Sequence, residues 1–297
     1  MNILNLITEI ERVDPEVYER LDQRRQMFQH FAGFGKKLAA AAVPLALGGV
    51  FQKAYGQSTG LSEQIKFVLN FALKLEYLEY YFYQMGLDAP GLLTGQLRNS
   101  VTTIRNDERN HVNFLRSVLG SSAIPDPGAG AFDYTGAKGG ARAPLFPDVF
   151  TNAGTFLAVA QAFEDTGVRA YKGGAPLLIS NNTILEAALN IHSVEARHAS
   201  HIRTVRRGGP QGIPGPLTSK PKSWISGDDN GGPAPLYTAP VYSPGMPAAT
   251  YPSEANVTQA GVNLVTVFGV TMAEASEAFD EPLDPNTVLA IAGNFIK

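Results

Sequence analysis

Apolar positions recur at helical spacing in four long stretches of the chain. The first, LSEQIKFVLNFALKLEYLEYYFYQMG (61–86), is apolar on nearly every side, as a helix surrounded by other helices must be; Ser62 predicts its cap and Gly86 its end. The second runs from about Gln96 to Leu119 and stops at Gly120. The third covers about Asn152 to Lys172, closed by Gly173 and Gly174. The fourth begins at Thr183, where TILE has the form of a capping box with Glu186, and continues to about Arg207. Short loops inside each pair predict two antiparallel hairpins. A connection of roughly thirty residues between the pairs, rich in Gly, Ala and Pro, predicts the one long crossover of an all-α four-helix bundle.

Outside these stretches the periodicity fails. From Gly208 to about Ser253 the chain is rich in Gly, Pro, Ser and Tyr and reads as an extended loop. TQAGVNLVTVFGVTMAEASEAF (258–279) is apolar enough to return to the body as a strand-like piece and a short helix, covering one end or side of the bundle. The N-terminal part carries an arginine pair (Arg24, Arg25), two lysines, and an apolar run from Leu38 to Phe51 followed by small residues at Ala54 and Gly56. That order resembles a twin-arginine export signal cleaved before Gln57, and hence a periplasmic or exported protein. The acidic residues Glu9, Glu11, Asp14, Glu16 and Glu19 ahead of the arginines are foreign to such a signal. The competing expectation is a retained N-terminal arm on a cytoplasmic protein. The run is too short for a stable membrane span, which needs about 20 residues. Three parts result: an arm or export signal over 1–56, the bundle over 57–208, and a Pro/Gly-rich extension with a short C-terminal helix over 209–297.

Composition narrows the chemistry. With 297 residues, 44% of them hydrophobic, the chain can fill a core. A formal net charge of -3 argues against a nucleic-acid partner. The absence of cysteine excludes disulfides, thiolate metal sites and a cysteine nucleophile, so any metal is held by oxygen and nitrogen. A homo-oligomer is compatible with the pattern.

Two of the five histidines follow a glutamate by three residues, Glu108 with His111 and Glu195 with His198. One helical turn puts both members of each pair on one face. Glu108 shares its stripe with Val101, Ile104 and Leu115, and Glu195 with Ala188, Ile191 and Ile202, so both pairs point into a core. The partner helices each supply one more acid on an apolar stripe, Glu76 and Glu164, and each acid is followed seven residues later by a tyrosine, Tyr83 and Tyr171. The interval from Glu76 to Glu108 is 32 residues and from Glu164 to Glu195 it is 31, so the chain repeats one hairpin and sets all four acids at similar depth. Glu79 competes with Glu76, since it too has apolar neighbours. His192 and His201 compete with His198. Asp107 and Asp165 are expected on outer faces, and Arg105, Arg109 and Arg197 offer the alternative of ordinary surface salt bridges to the acids.

Four carboxylates in an apolar interior repel one another and cost several kcal/mol each to bury; two divalent cations would neutralise them. One glutamate from each of two helices and Glu-x-x-His from each of the other two is the ligand pattern of di-iron and di-manganese carboxylate bundles. Oxygen and imidazole donors suit two Fe ions, or alternatively two Mn ions. LNFALKLEYLEYYFY with the two Glu-x-x-His helices resembles the ferritin-like superfamily, and in particular the bacterial ferritin-like proteins labelled desiccation-related; ASEAFDEPL near the C-terminus is similar to that group too. The resemblance implies a ferritin-like four-helix bundle in which Glu108 and Glu195 bridge two metals, His111 and His198 bind one each, and Glu76 and Glu164 are terminal ligands. It implies that Tyr83 and Tyr171 hydrogen-bond to those ligands or quench radicals. The implied activity is ferroxidase or peroxide-consuming redox chemistry with dioxygen or peroxide in stress protection. A di-manganese catalase and a non-catalytic scaffold of the cell envelope remain open alternatives.

Overall fold

A computed structural model describes residues 60–209 and 221–297. Four long helices form: α1 (Glu63–Asp88), α2 (Gly95–Leu119), α3 (Ala153–Gly174) and α4 (Asn182–Arg206). α1 packs along α2 and α3 along α4, and the two hairpins meet through α1 with α3 and α2 with α4. Leu73, Phe82, Val101, Leu157 and Ile202 are fully buried between them. Each such side chain contributes about 1.5–3 kcal/mol through removal from water. The bundle is therefore the predicted all-α one, with its crossover between α2 and α3.

Helix ends differ from expectation where a side chain outside the local pattern intervenes. Gly86 does not stop α1. It lies inside the helix because the Phe156 ring of α3 packs directly on it, where a Cβ would collide. Nor does Thr183 cap α4. Asn181, in extended backbone at φ -140°, accepts a hydrogen bond from the Ile184 amide at 3.1 Å, and this starts the helix one residue earlier. Ser62 caps α1 as predicted, accepting from the Ile65 amide.

The connection between hairpins is built, not slack. Its Tyr134 hydroxyl donates to the Leu78 carbonyl of α1 at 2.7 Å, and Tyr134 and Phe150 pack around Phe82. The C-terminus pairs with this connection, the Asp133 amide donating to the Phe295 carbonyl and the Lys297 amide to the Ala131 carbonyl. Within the stretch expected to be an extended loop, residues 235–242 form a helix, α5 (Pro235–Tyr242), opened by a proline at a position where no amide donor is needed. The strand-like piece is a minimal hairpin of β1 (Thr258–Gln259) and β2 (Val262–Asn263). Three short helices follow, α6 (Leu264–Phe268), α7 (Met272–Glu277) and α8 (Pro285–Ala292), the last packed on α1, α3 and α5.

Two buried arginines fasten this segment to α3 and α4. Arg169 of α3 is fully buried and donates to the carbonyls of Val241, Ser243, Pro252, Glu281 and Pro282 while its Nε lies 2.8 Å from Glu254. Arg203 of α4 forms a two-pronged pair with Asp165 of α3, at 3.0 and 2.6 Å, and reaches Asp229 beyond the bundle. Asp165 is thus 1% exposed and not on an outer face. α3 is buried on every side because the C-terminal segment covers the side turned away from the other helices. Gly173 marks the closest approach, since a Cβ there would meet the Leu283 carbonyl oxygen. Gly173→Ala would gain about 1 kcal/mol of helix propensity. It would lose about 1–3 kcal/mol to displacement of Leu283, so a net loss in denaturant midpoint with unchanged slope is expected.

Among the described residues no helix is long and apolar enough to cross a membrane. The arginine pair, the apolar run and the cleavage position before Gln57 lie outside the described residues.

Candidate metal centre

The six side chains singled out by spacing converge at mid-bundle. Glu76, Glu108, His111 and Glu195 present one donor atom each within 4.8 Å of one another, and so do Glu108, Glu164, Glu195 and His198. Glu108 and Glu195 belong to both groups and therefore lie between them. All four glutamates are 0% exposed. His111 Nδ1 is 3.0 Å from both Glu76 Oε2 and Glu108 Oε2 and 3.2 Å from Glu195 Oε1. His198 Nδ1 is 2.8 Å from Glu108 Oε1 and 3.4 Å from Glu164 Oε2.

Each tyrosine serves the other hairpin. Tyr83 of α1 donates to Glu164 of α3, and Tyr171 of α3 donates to Glu76 of α1. Seven residues along one helix are about 10 Å, too far for Tyr83 to reach Glu76. In an antiparallel pair, however, seven steps forward on α1 meet seven steps back on α3, so both crossed contacts follow from one register.

The donor set fits a cation better than it fits itself. Glu108 Oε1, Glu164 Oε2, both Glu195 oxygens and His198 Nδ1 are buried with no hydrogen-bond partner. His198 Nδ1 and Glu108 Oε1 are close yet misaligned for a hydrogen bond; both face a shared point. Buried polar atoms are rarely left this way, and a bound ion is one of the few explanations that satisfies several at once.

In the metal-free protein, protons must replace that charge. Burial pushes the Glu76 carboxyl up to about 7 despite the His111 imidazole beside it. Burial also raises Glu164, and raises Glu195 well above the carboxylate range, where Glu108 and Glu76 add to it. Glu108 goes the other way: burial opposes its ionisation, but His198 and His111 together outweigh that and hold it low. Burial disfavours the charged imidazoles, yet the surrounding carboxylates, led by Glu76 for His111 and Glu164 for His198, raise both well above the usual histidine range.

The two halves are not identical. Counting from the paired acids, Glu79 of α1 corresponds to Gly167 of α3. A Cβ at Gly167 would lie 3.3 Å from Glu195 Oε2 and 3.4 Å from Glu79 Oε1, so the glycine leaves room for Glu79 as a fifth buried acid beside the six. Burial, and then Glu195, raise its carboxyl well above the ordinary range. Glu76, not Glu79, stands within the donor groups. Asp107 also departs from expectation: it does not face away but lies 3.2 Å from His198 Nε2. Accepting from Nε2–H, it fixes the tautomer that turns the Nδ1 lone pair to the cluster. Its counterpart in the other half is Val194. Asp107→Ala should therefore weaken metal binding by the donor group of His198 about 10–100-fold and leave that by the group of His111 unchanged, as read by isothermal titration; equal loss in both groups would contradict this.

The competing residues lie elsewhere. The His192 ring donates to the Val168 carbonyl at 3.1 Å, and neither it nor His201 belongs to the donor groups. Arg105 donates to Gln84 and Arg197 to Ser193, so the surface salt bridges considered for them are replaced by other partners. Spacing alone missed Asp107 and Gly167; the internal repeat was the available signal for both, since each breaks it.

Two antiparallel hairpins that bring glutamate and Glu-x-x-His inward from facing helices define the class of carboxylate-histidine bundles. Residues 66–207 match the family model described as a ferritin-like domain, and this part of the chain is a ferritin-like domain. No curated protein and no solved structure matches the chain.

Proposed function

We propose that this protein holds two iron ions between its hairpins and oxidises Fe(II) with dioxygen or peroxide, in protection against oxidative stress. The observation that carries the reading is the overlap of two four-donor groups on Glu108 and Glu195 at full burial. Two adjacent divalent ions supply two electrons at one place. With dioxygen, two Fe(II) and two protons give two Fe(III) and hydrogen peroxide. With peroxide, two Fe(II) and two protons give two Fe(III) and two waters. The chain's own groups do the rest. Glu76, Glu164, His111 and His198 would hold the ions together with Glu108 and Glu195, Tyr171 and Tyr83 orient Glu76 and Glu164, and the apolar stripes keep bulk water away.

Purified protein is expected to carry two iron ions per chain and to oxidise added Fe(II) above the buffer rate. Glu108→Ala is expected to lose both properties. Unchanged metal content in Glu108→Ala, or two bound ions with no oxidation by either oxidant, would refute the proposal. The same donors suit manganese; oxygen release from peroxide by a manganese-loaded preparation would redirect the reading to a catalase. On sequence alone we also propose export through the arginine pair, testable by fractionating cells that express Arg24→Lys/Arg25→Lys.

A further inference from the structure

Where the N-terminal halves of α1 and α4 meet the C-terminal halves of α2 and α3, the helices form an apolar cavity of about 30 Å³. Among its lining side chains only that of Tyr171 carries a polar atom, and the Tyr171 hydroxyl is turned to Glu76. The cavity lies to one side of the candidate centre. Ala72 is one turn from Glu76, Leu115 one turn from His111, and Ile191 one turn from Glu195, so it lies about 5 Å beyond the donor group that contains His111. Glu164 and His198, which belong to the other group alone, have no lining residue one turn away.

We propose that this cavity is a binding site for dioxygen, from which the gas reaches the metal position of Glu76 and His111. Volume and polarity select the occupant. A water needs roughly 10–15 Å³ in this measure together with two to four polar partners, and apolar cavities of this kind stay dry and take up apolar guests such as xenon. The space accommodates a diatomic molecule. Hydrogen peroxide, like water, would lose its hydrogen bonds there and must arrive by another route. The inference rests on the Fe(II)-oxidising reading, and it adds that the two oxidants approach differently.

Ala188 of α4 lines the cavity and is outside the donor groups. Crystals of the metal-free protein pressurised with xenon should show one xenon atom in the cavity, and Ala188→Leu should show none. In stopped-flow mixing, Ala188→Leu should lower the rate of Fe(II) oxidation by dioxygen about tenfold, while the peroxide-driven rate falls less than twofold and two metals remain bound. Ala188→Ser, which adds a hydroxyl at nearly constant volume, should admit water and slow the dioxygen reaction in the same selective way. It serves if the leucine variant does not fold. Xenon found only elsewhere, or equal slowing with both oxidants, would overturn the dioxygen site while leaving Fe(II) oxidation standing. A wild-type protein that binds xenon and two metals but oxidises Fe(II) with neither oxidant would overturn the functional reading, and the delivery role with it.

Discussion

Glu195→Gln should make the metal-free protein more stable and at the same time abolish the proposed binding of two metal ions. Neither Glu195 oxygen has a hydrogen-bond partner, and burial with Glu108 and Glu76 nearby drives its carboxyl far above the ordinary value. Folding at neutral pH therefore has to place a proton on a group that is ionised in the unfolded chain. Each unit of that mismatch is worth about 1.4 kcal/mol. A neutral isostere escapes it and should gain roughly 1–3 kcal/mol, about 5 °C in melting temperature for a domain of this size. Metal content should fall from two ions to below one, because an amide cannot supply charge to both positions. Glu186→Gln, at an exposed position of α4, is the control and should change neither quantity. A variant that keeps two ions, or one whose metal-free form melts below the wild type, would contradict the account.

Metal should stabilise the protein increasingly as pH rises. Without metal, Glu76, Glu79, Glu164 and Glu195 have raised values in the folded state, so the folded chain binds more protons than the unfolded one above about pH 4.5. Stability then declines as pH rises, for Glu76 until about 7. His111 and His198, also raised, give the same sign, their ion pairing being lost as pH climbs through their folded values. Glu108 is lowered and acts oppositely, but its contribution is lost only as pH falls below the ordinary carboxylate range. From pH 5 to 8 the raised groups of the cluster therefore point downward for the metal-free form. The metal-bound form needs deprotonated ligands and gains in the same window. At a thousandfold excess over its dissociation constant a bound ion adds about 4 kcal/mol, or roughly 10 °C at pH 8, with a much smaller shift at pH 5.5. Calorimetric scans with and without Fe(II) under argon measure both curves. A metal-induced shift that is flat with pH would count against protons and metal competing for one set of groups.

How much of this was legible in the sequence depends on which interactions are local. The four helices were, because their apolar stripes span many turns and sum many weak preferences. The convergence of Glu76, Glu108, His111, Glu164, Glu195 and His198 was visible through stripe membership and through equal intervals in the two hairpins. Features set by contact between distant segments were not. Gly86 looks like a helix stop until Phe156 is known to need its place, and Asp165 looks solvent-facing until Arg203 and the C-terminal segment are laid over α3. The crossed tyrosines needed the register of α1 against α3, which the even spacing of seven hides by suggesting a same-helix pairing. Asp107 was assigned by its rotation from Glu108 alone, although a 100° turn on α2 still faces α4.

The doubled hairpin has a consequence for how alike the two donor groups can become. Were the bundle assembled from two copies of one short chain, any substitution would appear in both halves and the positions would stay twins. Joined by the 120–152 connection into a single polypeptide, the halves are free to drift apart. Asp107 has no acidic counterpart across the axis, and Glu79 faces a glycine. Such a lineage can keep one position as a firmly held resident and turn the other into a place through which ions pass.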